Sequence, residues 1–178
     1  MAKSAIHYRK CTELDLELLT QVAKETFTEA FVQDNSRFNF NEYISQAFSK
    51  VQISKELRNQ ESEFYFALSG NDLIGYFKVN TGSTQTDLVD QNGMELERIY
   101  VLPKFQNLGL GQKLLAQAIE IARAKLCPFI WLGVWEKNTS AIRFYRRHRF
   151  VHSGYHPFKL GDEDQTDFIM KLELSGKG

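Results

Sequence analysis

A glycine-bearing loop, Gln106–Gly111, is the first stretch of the chain whose residue types suggest chemistry. It follows an alternating run of β-branched and aromatic residues and leads into a strongly helical segment, Gln112–Lys125. A helix N-terminus presents unpaired N–H groups and about half a positive charge, and glycines without a Cβ let the backbone approach a ligand closely. The pattern therefore predicts a binding site for a pyrophosphate.

The spacing of this loop excludes two nucleotide-binding motifs. A P-loop ends in Gly-Lys-Ser/Thr, but Lys113 comes two residues after Gly111 and is followed by Leu114. The dinucleotide fingerprint needs a third glycine three residues after the second, and Leu114 occupies that position. The loop is therefore expected to bind the pyrophosphate of another kind of ligand.

A second group of residues, Trp135–Tyr145, follows a continuous apolar strand and opens a helix. Asn138 is a suitable N-cap for that helix, because its side-chain oxygen can accept a hydrogen bond from the first turn. Tyr145 follows the core-like Phe144, so it is either a core tyrosine or a functional one. A phenol with a pKa of ~10 stays protonated at neutral pH and can act as a general acid.

Taken together, the two groups resemble the GNAT N-acetyltransferase superfamily. Gln-x-x-Gly-x-Gly after Val101-Leu102-Pro103 is similar to the acetyl-CoA loop of that family, and the helix from Asn138 to Tyr145 is similar to its second motif. The order of predicted elements matches from about Ile6 to Leu174, although Arg149 stands where the family customarily has a glycine. A closer resemblance, to the PaiA-type polyamine (spermidine/spermine) acetyltransferases, rests on residues 97–101, 131–136 and 160–167.

The resemblance implies that acetyl-CoA is the cosubstrate and that no metal takes part. The main chain of Ile99 and Val101 would hold the pantetheine arm like an added strand, and Asn138 would donate or accept one further hydrogen bond. The N–H of Val101 could also stabilise an oxyanion. The residues implied in cofactor binding are Ile99, Tyr100, Val101, Gln106, Asn107, Leu108, Gly109, Leu110, Gly111, Gln112, Asn138 and Tyr145.

Direct transfer to an amine needs an acid and a base. Tyr145 would donate a proton to the departing thiolate. A primary amine with a pKa of ~10 cannot attack a thioester until a carboxylate, directly or through water, helps to remove its proton. Glu97, on the strand beside the cofactor, is the first candidate for this base, and Glu95 and Glu136 are alternatives. A structural Glu97 paired with Arg98 or a lysine fits the sequence as well.

The acceptor site is expected where the first two long helices meet, because the family places its acceptor pocket there. Ordinary core packing explains the phenylalanines of this region equally well. The candidates for substrate binding are Phe31, Phe38 and Glu136, with Phe27 and Phe40 flanking the same break. An acidic group could attract a polycationic amine or be a solvated turn: Asp162, Glu163, Asp164 and Asp167. A basic group could meet the adenosine 3′-phosphate or be an exposed helix face: Arg143, Arg146, Arg147 and Arg149.

A scaffold of alternating strands and helices must position these groups, and the periodicity of apolar residues predicts one. Helices are predicted at residues 14–31, 38–48, 54–59, 112–125 and 138–148, and strands at 6–10, 64–68, 73–79, 95–101, 129–134, 150–155 and 167–174. The expected fold class is α/β (α+β). With the resemblance added, it is the GNAT-like acyl-CoA N-acyltransferase fold, a mixed and mostly antiparallel sheet of six or seven strands flanked by about four helices.

Length and charge limit the remaining possibilities. A chain of 178 residues predicts one domain over residues 1–178, with its core at about 6–174. The 22 Lys and Arg balance the 22 Asp and Glu, so no general attraction to nucleic acid or to an anionic membrane is expected. No apolar run suits a signal peptide or a membrane span, and Cys11 and Cys127 are too few for a disulfide framework or zinc site. We expect a cytoplasmic monomer or homodimer whose partner is a small-molecule amine.

Two other functions stay open at this point. A non-catalytic acyl-CoA-binding sensor of the same fold would keep the loop and lose the acid and the base, and the presence of Tyr145 and Glu97 argues against it. A protein or peptide N-acetyltransferase would share all of the motifs. The acceptor itself is not predicted, because the shape of its pocket depends on loops without a recognisable pattern.

Overall fold

The structure, a computed structural model, describes residues 5–31, 37–87, 90–160 and 162–174. These residues form seven strands and five helices, which confirms the predicted fold class. The strands are β1 Ile6–Lys10, β2 Ser62–Ser69, β3 Asp72–Thr81, β4 Met94–Val101, β5 Phe129–Trp135, β6 Val151–Leu160 and β7 Glu163–Glu173. The helices are α1 Leu16–Phe31, α2 Arg37–Ala47, α3 Lys50–Leu57, α4 Leu110–Ala124 and α5 Thr139–Arg147.

All seven strands belong to one sheet with the order β1-β2-β3-β4-β5-β7-β6. Every neighbouring pair is antiparallel except β4 and β5, which are parallel. This parallel pair is short, because only Met94 with Ile130 and Glu95 with Trp131 are in register. Beyond these residues the two strands diverge, so the middle of the sheet opens into a gap.

The two faces of the sheet carry separate apolar cores. Successive side chains on a strand point to opposite faces, and Tyr76 and Phe77 of β3 accordingly belong to different cores. One core packs under α4 and α5, with Leu114 and Ile142 among its buried residues. The other packs under α1 and α3, with Leu19 among its buried residues. The gap between β4 and β5 therefore connects the α4–α5 side of the sheet with the α1–α3 side.

Several element boundaries differ from the predicted ones. Leu14 and Leu18 are 97% and 45% exposed, because α1 begins only at Leu16 and its buried stripe runs through Leu19 and Val22 instead. Helix α3 begins four residues earlier than predicted, after Ser49, whose hydroxyl accepts a hydrogen bond from the Gln52 N–H at 3.1 Å. The last hairpin is longer than predicted, because β6 continues to Leu160 and β7 already begins at Glu163.

Some predicted features lie outside the described residues. These are the break at residues 33–36, the side chain of Phe38 and Gly161 of the acidic turn. Within the described ranges, no helix is both long and apolar enough to cross a membrane. No group of three or more His, Cys, Asp or Glu in the same ranges is arranged to hold a metal ion.

Candidate active site

A cavity of about 330 Å³ occupies the gap between β4 and β5. Both faces of the sheet contribute to its walls. Asn138, Ala141 and Tyr145 reach it from the α5 side, and residues of α1, α2, β6 and β7 reach it from the opposite side. Those opposite residues are Phe27, Ala30, Phe31, Tyr43, His156, Phe158, Gln165 and Asp167. Two ligands approaching from opposite faces would therefore meet inside the sheet.

The edge of β4 that faces this gap offers main-chain groups that no neighbouring strand pairs with. Leu102 N–H donates to the carbonyl of Ile74 at 2.9 Å on the β3 side. Because hydrogen-bonding directions alternate along an antiparallel strand, the main-chain groups of Ile99 and Val101 point to the other side, toward β5. No residue of β5 is in register with either of them. Gln106 Nε2 donates to the carbonyl of Val101 at 3.2 Å, which ties the following loop to this edge.

The glycine-bearing loop forms the N-terminus of α4. Asn107 and Gly109 have left-handed backbone conformations, with φ of 61° and 71°, and Gly109 is the N-cap residue. These are conformations that glycine and asparagine adopt at low cost. No side chain caps the helix, so the first N–H groups of this 15-residue helix are available to a ligand. The loop residues 106–109 are exposed.

Helix α5 places Asn138 and Tyr145 at the cavity. Asn138 caps the helix, its Oδ1 accepting a hydrogen bond from the Ala141 N–H at 3.1 Å. Tyr145 is only 9% exposed and packs its ring against Phe144 and Phe150. Burial raises the pKa of the Tyr145 phenol above its ordinary value. The hydroxyl is therefore protonated at neutral pH, and no described residue hydrogen-bonds with it.

Glu97 lies at a β-bulge in β4. The register of β3 against β4 shifts between Lys78 and Val79, so Glu97 has no partner on β3. Its carboxylate contacts the Lys78 ammonium at 2.5 Å and accepts a hydrogen bond from Asn80 at 2.6 Å. Burial would raise the pKa of Glu97, but the positive charges of Arg98 and Lys78 outweigh it and lower the pKa to about 2. The role of Glu97 as base stays a prediction, and these surroundings weigh against it because so acidic a carboxylate is a weak base.

Glu95, the alternative base on the same strand, is also engaged. Its carboxylate accepts hydrogen bonds from the Thr86 N–H at 2.8 Å, from the Thr86 hydroxyl and from Asn80 at 3.0 Å. The side chain is 2% exposed. Burial raises the pKa of Glu95, and the neighbouring Glu97 raises it further.

Asp167 of β7 lies across the cavity from these two carboxylates. Its Oδ2 is 3.3 Å from the position that a Cβ on Gly133 would occupy, so the carboxylate lies directly against the glycine backbone of β5. Burial raises the pKa of Asp167 to about 6, with the nearby His156 lowering it and Glu136 raising it. No described residue donates a hydrogen bond to its carboxylate. His156 itself is bound to Asp87, with 2.8 Å between Nδ1 and Oδ2.

Aromatic rings form the far wall of the cavity. Phe27 is central to this wall, with ring centroids 4.8 Å from Phe31, 5.2 Å from Tyr43 and 5.1 Å from Phe48. Tyr43 in turn contacts the ring of Phe158 of β6 at 5.5 Å, edge to face. The wall is therefore shared between the predicted acceptor helices and the last hairpin. The role predicted for Phe38 lies outside the described residues.

Other predicted residues lie away from the cavity. Glu136 is exposed in the turn after β5, and its charge raises the pKa of Asp167. Asp162 and Asp164 are exposed, and so are the four arginines of α5 and its C-terminal turn. Arg149 has a φ of 68°, the left-handed conformation that the customary glycine would adopt freely. Sequence reasoning missed Tyr43, His156 and Phe158, whose only signal was an aromatic or polar residue within an otherwise ordinary helix or strand.

These features fit an acyl-CoA. An uncapped helix N-terminus with left-handed turns suits a pyrophosphate, and an unpaired strand edge beside a narrow gap suits an extended amide chain. Residues 19–150 match the sequence pattern of the Acetyltransferase (GNAT) family. The chain belongs to that family and is an acetyl-CoA-dependent N-acetyltransferase.

Individual relatives agree with this assignment over nearly the whole chain. An uncharacterized N-acetyltransferase of Lactobacillus delbrueckii subsp. lactis is 36% identical over 163 residues, covering 92% of this chain and 94% of the relative. A spermidine N(1)-acetyltransferase of Thermoplasma acidophilum is 27% identical over 171 residues, covering 94% of this chain and 96% of the relative. The crystal structure of a PaiA N-acetyltransferase from Thermoplasma acidophilum in complex with coenzyme A is 26% identical with a TM-score of 0.76, covering 96% of this chain and 99% of the other.

Proposed function

We propose that this N-acetyltransferase moves the acetyl group from acetyl-CoA to a small primary amine by direct attack, without a covalent enzyme intermediate. The observation that carries the proposal is the cavity through the sheet, which brings an unengaged phenol from one face and an aromatic and carboxylate-bearing wall from the other into one space. Neither cysteine lines that cavity. Burial also raises the pKa of both thiols, so neither is activated as a nucleophile.

Acetyl-CoA would enter from the α4–α5 side. The N–H groups at the start of α4 would bind the pyrophosphate, and the main chain of Ile99 and Val101 would bind the pantetheine arm. The Val101 N–H would stabilise the oxyanion that develops on the thioester carbonyl. Tyr145 would donate a proton to the departing sulfur, because its phenol is protonated and faces the cavity without another partner.

The acceptor would enter from the α1–α2 side, and a polyamine such as spermidine or spermine is our leading candidate. A polyamine offers several ammonium groups joined by apolar methylenes. The cavity has a matching character, since the rings of Phe27, Tyr43 and Phe158 form an apolar wall with faces that attract cations, and Asp167 supplies a carboxylate. The spermidine acetyltransferase among the relatives supports the same class of acceptor.

A screen of acceptors tests this function. The purified protein is incubated with acetyl-CoA and a panel of polyamines, amino acids, aminoglycosides and peptides, and free CoA is measured with a thiol reagent. We expect CoA release with spermidine or spermine, and mass spectrometry should find one acetyl group on the amine. Turnover with peptides alone would make the protein a peptide N-acetyltransferase. Tight binding of acetyl-CoA without turnover on any acceptor would make it a sensor.

A further inference from the structure

Three carboxylates line the cavity in the described part of the chain, and they differ in what already binds them. Glu97 contacts Lys78, Asn80 and Arg98. Glu95 accepts hydrogen bonds from Thr86 and Asn80. Asp167 accepts none from any described residue and lies against the bare backbone of Gly133. Its oxygens are therefore the ones left to a ligand.

The surroundings of Asp167 keep it available near neutral pH. The charge interaction with His156 of β6 lowers the pKa of Asp167, and the His156 imidazole is itself held by Asp87. Glu136, in the turn after β5, acts in the opposite direction. With burial as the largest influence, the pKa of Asp167 reaches about 6. A carboxylate with such a pKa is ionised at neutral pH and is much more basic than an exposed aspartate, which suits proton abstraction.

We propose that Asp167 is the base that takes the proton from the acceptor amine, an inference that rests on the proposed function. The ammonium gives one proton to the Asp167 carboxylate, which frees the lone pair of its nitrogen. The C–N bond then forms as the C–S bond breaks, and the sulfur takes the phenol proton of Tyr145. The second proton that leaves the nitrogen restores the phenol, and Asp167 releases its own proton to solvent. No oxidant, metal or further reactant is required.

The first test compares variants at this position, using the amine that gives the fastest turnover in the wild-type screen. Asp167→Asn keeps the shape of the side chain and removes the base, so we expect kcat to fall by about 10²- to 10⁴-fold. Asp167→Glu, which restores a carboxylate, should recover at least tenfold of that loss. Glu173→Gln is the matched control, because it neutralises an exposed carboxylate at the other end of the same strand and should leave kcat unchanged. The affinity for acetyl-CoA, measured by calorimetry, should be the same in all four proteins.

The pH profile separates a base from a residue that only shapes the site. In the wild type, kcat/KM for the amine should fall below about pH 6 with a slope of one, because this ratio reports the ionisation of the free enzyme, and Asp167→Asn should lose this limb. His156→Gln should keep the limb and move it to higher pH, because the charge interaction that lowers the pKa of Asp167 is removed. The inference is overturned if Asp167→Asn retains the limb, if the limb disappears only in His156→Gln, or if Asp167→Asn turns over at the wild-type rate. A wild type that acetylates no amine would instead overturn the proposed function itself.

Discussion

Two carboxylates on opposite sides of the cleft, Glu97 and Asp167, are both largely buried, yet their pKa values are shifted in opposite directions. On the β4 side, defined here as Glu95 and Glu97 with Lys78, Asn80 and Arg98, positive charges lower the pKa of Glu97 to about 2. On the β7 side, defined as Asp167 with His156 and Tyr145, burial without a hydrogen-bond donor raises the pKa of Asp167 to about 6. Burial alone therefore does not decide the chemistry of a carboxylate. The partners of the carboxylate decide it, and they divide this cleft into a structural side and a side that we propose to be reactive.

This division has opposite consequences for stability. Folding lowers the pKa of Glu97 from its ordinary 4.5 to about 2, so its stabilisation is complete above pH 4.5 and is lost as the pH falls toward 2. Folding raises the pKa of Asp167 from 3.8 to about 6, so its ionisation destabilises the fold as the pH rises through that window. At neutral pH, where Asp167 would act as a base, its ionised carboxylate therefore destabilises the fold, whereas the ionised carboxylate of Glu97 stabilises it.

Replacing Tyr145 by phenylalanine should cause the largest effect, on the reactive side. The substitution removes only the hydroxyl, and the ring keeps its contacts with Phe144 and Phe150. We expect kcat to fall by about 10²- to 10⁴-fold, because the departing thiolate loses its proton donor. The affinity for acetyl-CoA and the midpoint of urea unfolding should stay close to those of the wild type. Steady-state kinetics and calorimetry check both parts, and an unchanged kcat would remove Tyr145 as the acid.

On the structural side, Lys78→Met should instead unfold the protein more easily. Lys78 is buried, with 5% of its side chain exposed, and it contacts both Glu97 and Glu56. Without Lys78, the carboxylates of Glu97 and Glu56 share a single buried cation, Arg98, and we expect a loss of about 3–5 kcal/mol in the free energy of unfolding. Urea titration measures this.

The matched control for that variant is Lys50→Met. Lys50 contacts Glu17 at 2.6 Å, but 58% and 74% of the two side chains are exposed. An exposed pair contributes only about 0–1 kcal/mol, so this variant should unfold near the wild-type midpoint. Equal losses of unfolding free energy in the two variants would mean that the buried ion pairs of Lys78 stabilise the fold no more than an exposed ion pair does.

The contrast between the two sides also explains how far the sequence could lead. The loop at Gly109 and the helix from Asn138 to Tyr145 are local patterns, in which residues a few positions apart form one feature, and the fold class that they implied is confirmed. Arg149, noted for replacing a glycine, has a left-handed φ of 68°.

The carboxylates could not be ranked from the sequence, because several of their partners are distant along the chain. The pKa of Glu97 is lowered by the adjacent Arg98 and also by Lys78, which lies 19 residues earlier and on another strand. The pKa of Asp167 is raised by burial, with its carboxylate against Gly133, and its neighbour His156 is bound to Asp87. Likewise, Leu14 and Leu18 matched helical spacing and are exposed, since the start of α1 sets the phase of its buried stripe. Periodicity describes an element, whereas charge pairing depends on how the elements meet.

Asp167→Asn should stabilise the fold in a way that depends on pH. The pKa rise from 3.8 to about 6 corresponds to a cost of up to about 3 kcal/mol once the carboxylate is ionised, and the amide avoids that cost. The variant should therefore unfold at higher urea than the wild type at neutral pH, and the difference should shrink as the pH falls below about 6 toward 4. Urea titrations across this range measure it. A variant less stable than the wild type at neutral pH would show that Asp167 has a stabilising partner.

Changes in the glycine-bearing loop should affect neither side of the cleft, only the affinity for acetyl-CoA. Gly109 has a φ of 71°, a conformation that costs an ordinary residue about 1–2 kcal/mol and a β-branched residue more. Gly109→Val should therefore weaken acetyl-CoA binding by about 5- to 30-fold. Gly109→Asn is the control, because asparagine accepts this conformation, and its affinity should stay within a few-fold of the wild type. Calorimetry compares the two variants. Equal affinities for acetyl-CoA would show that this loop does not bind the pyrophosphate.

The smallest effect is expected at Cys127. Its replacement tests whether acetyl transfer needs any group besides those on the reactive side of the cleft. The thiol lies in the connection between α4 and β5, it does not line the cavity, and burial raises its pKa. A thiol that stays protonated cannot accept the acetyl group, so direct attack by the amine leaves Cys127 no part in the reaction. Cys127→Ala should retain kcat and KM within about twofold of the wild type. Loss of turnover in a folded variant would instead favour a covalent route through the thiol, and the roles assigned to Tyr145 and Asp167 would then have to be revised.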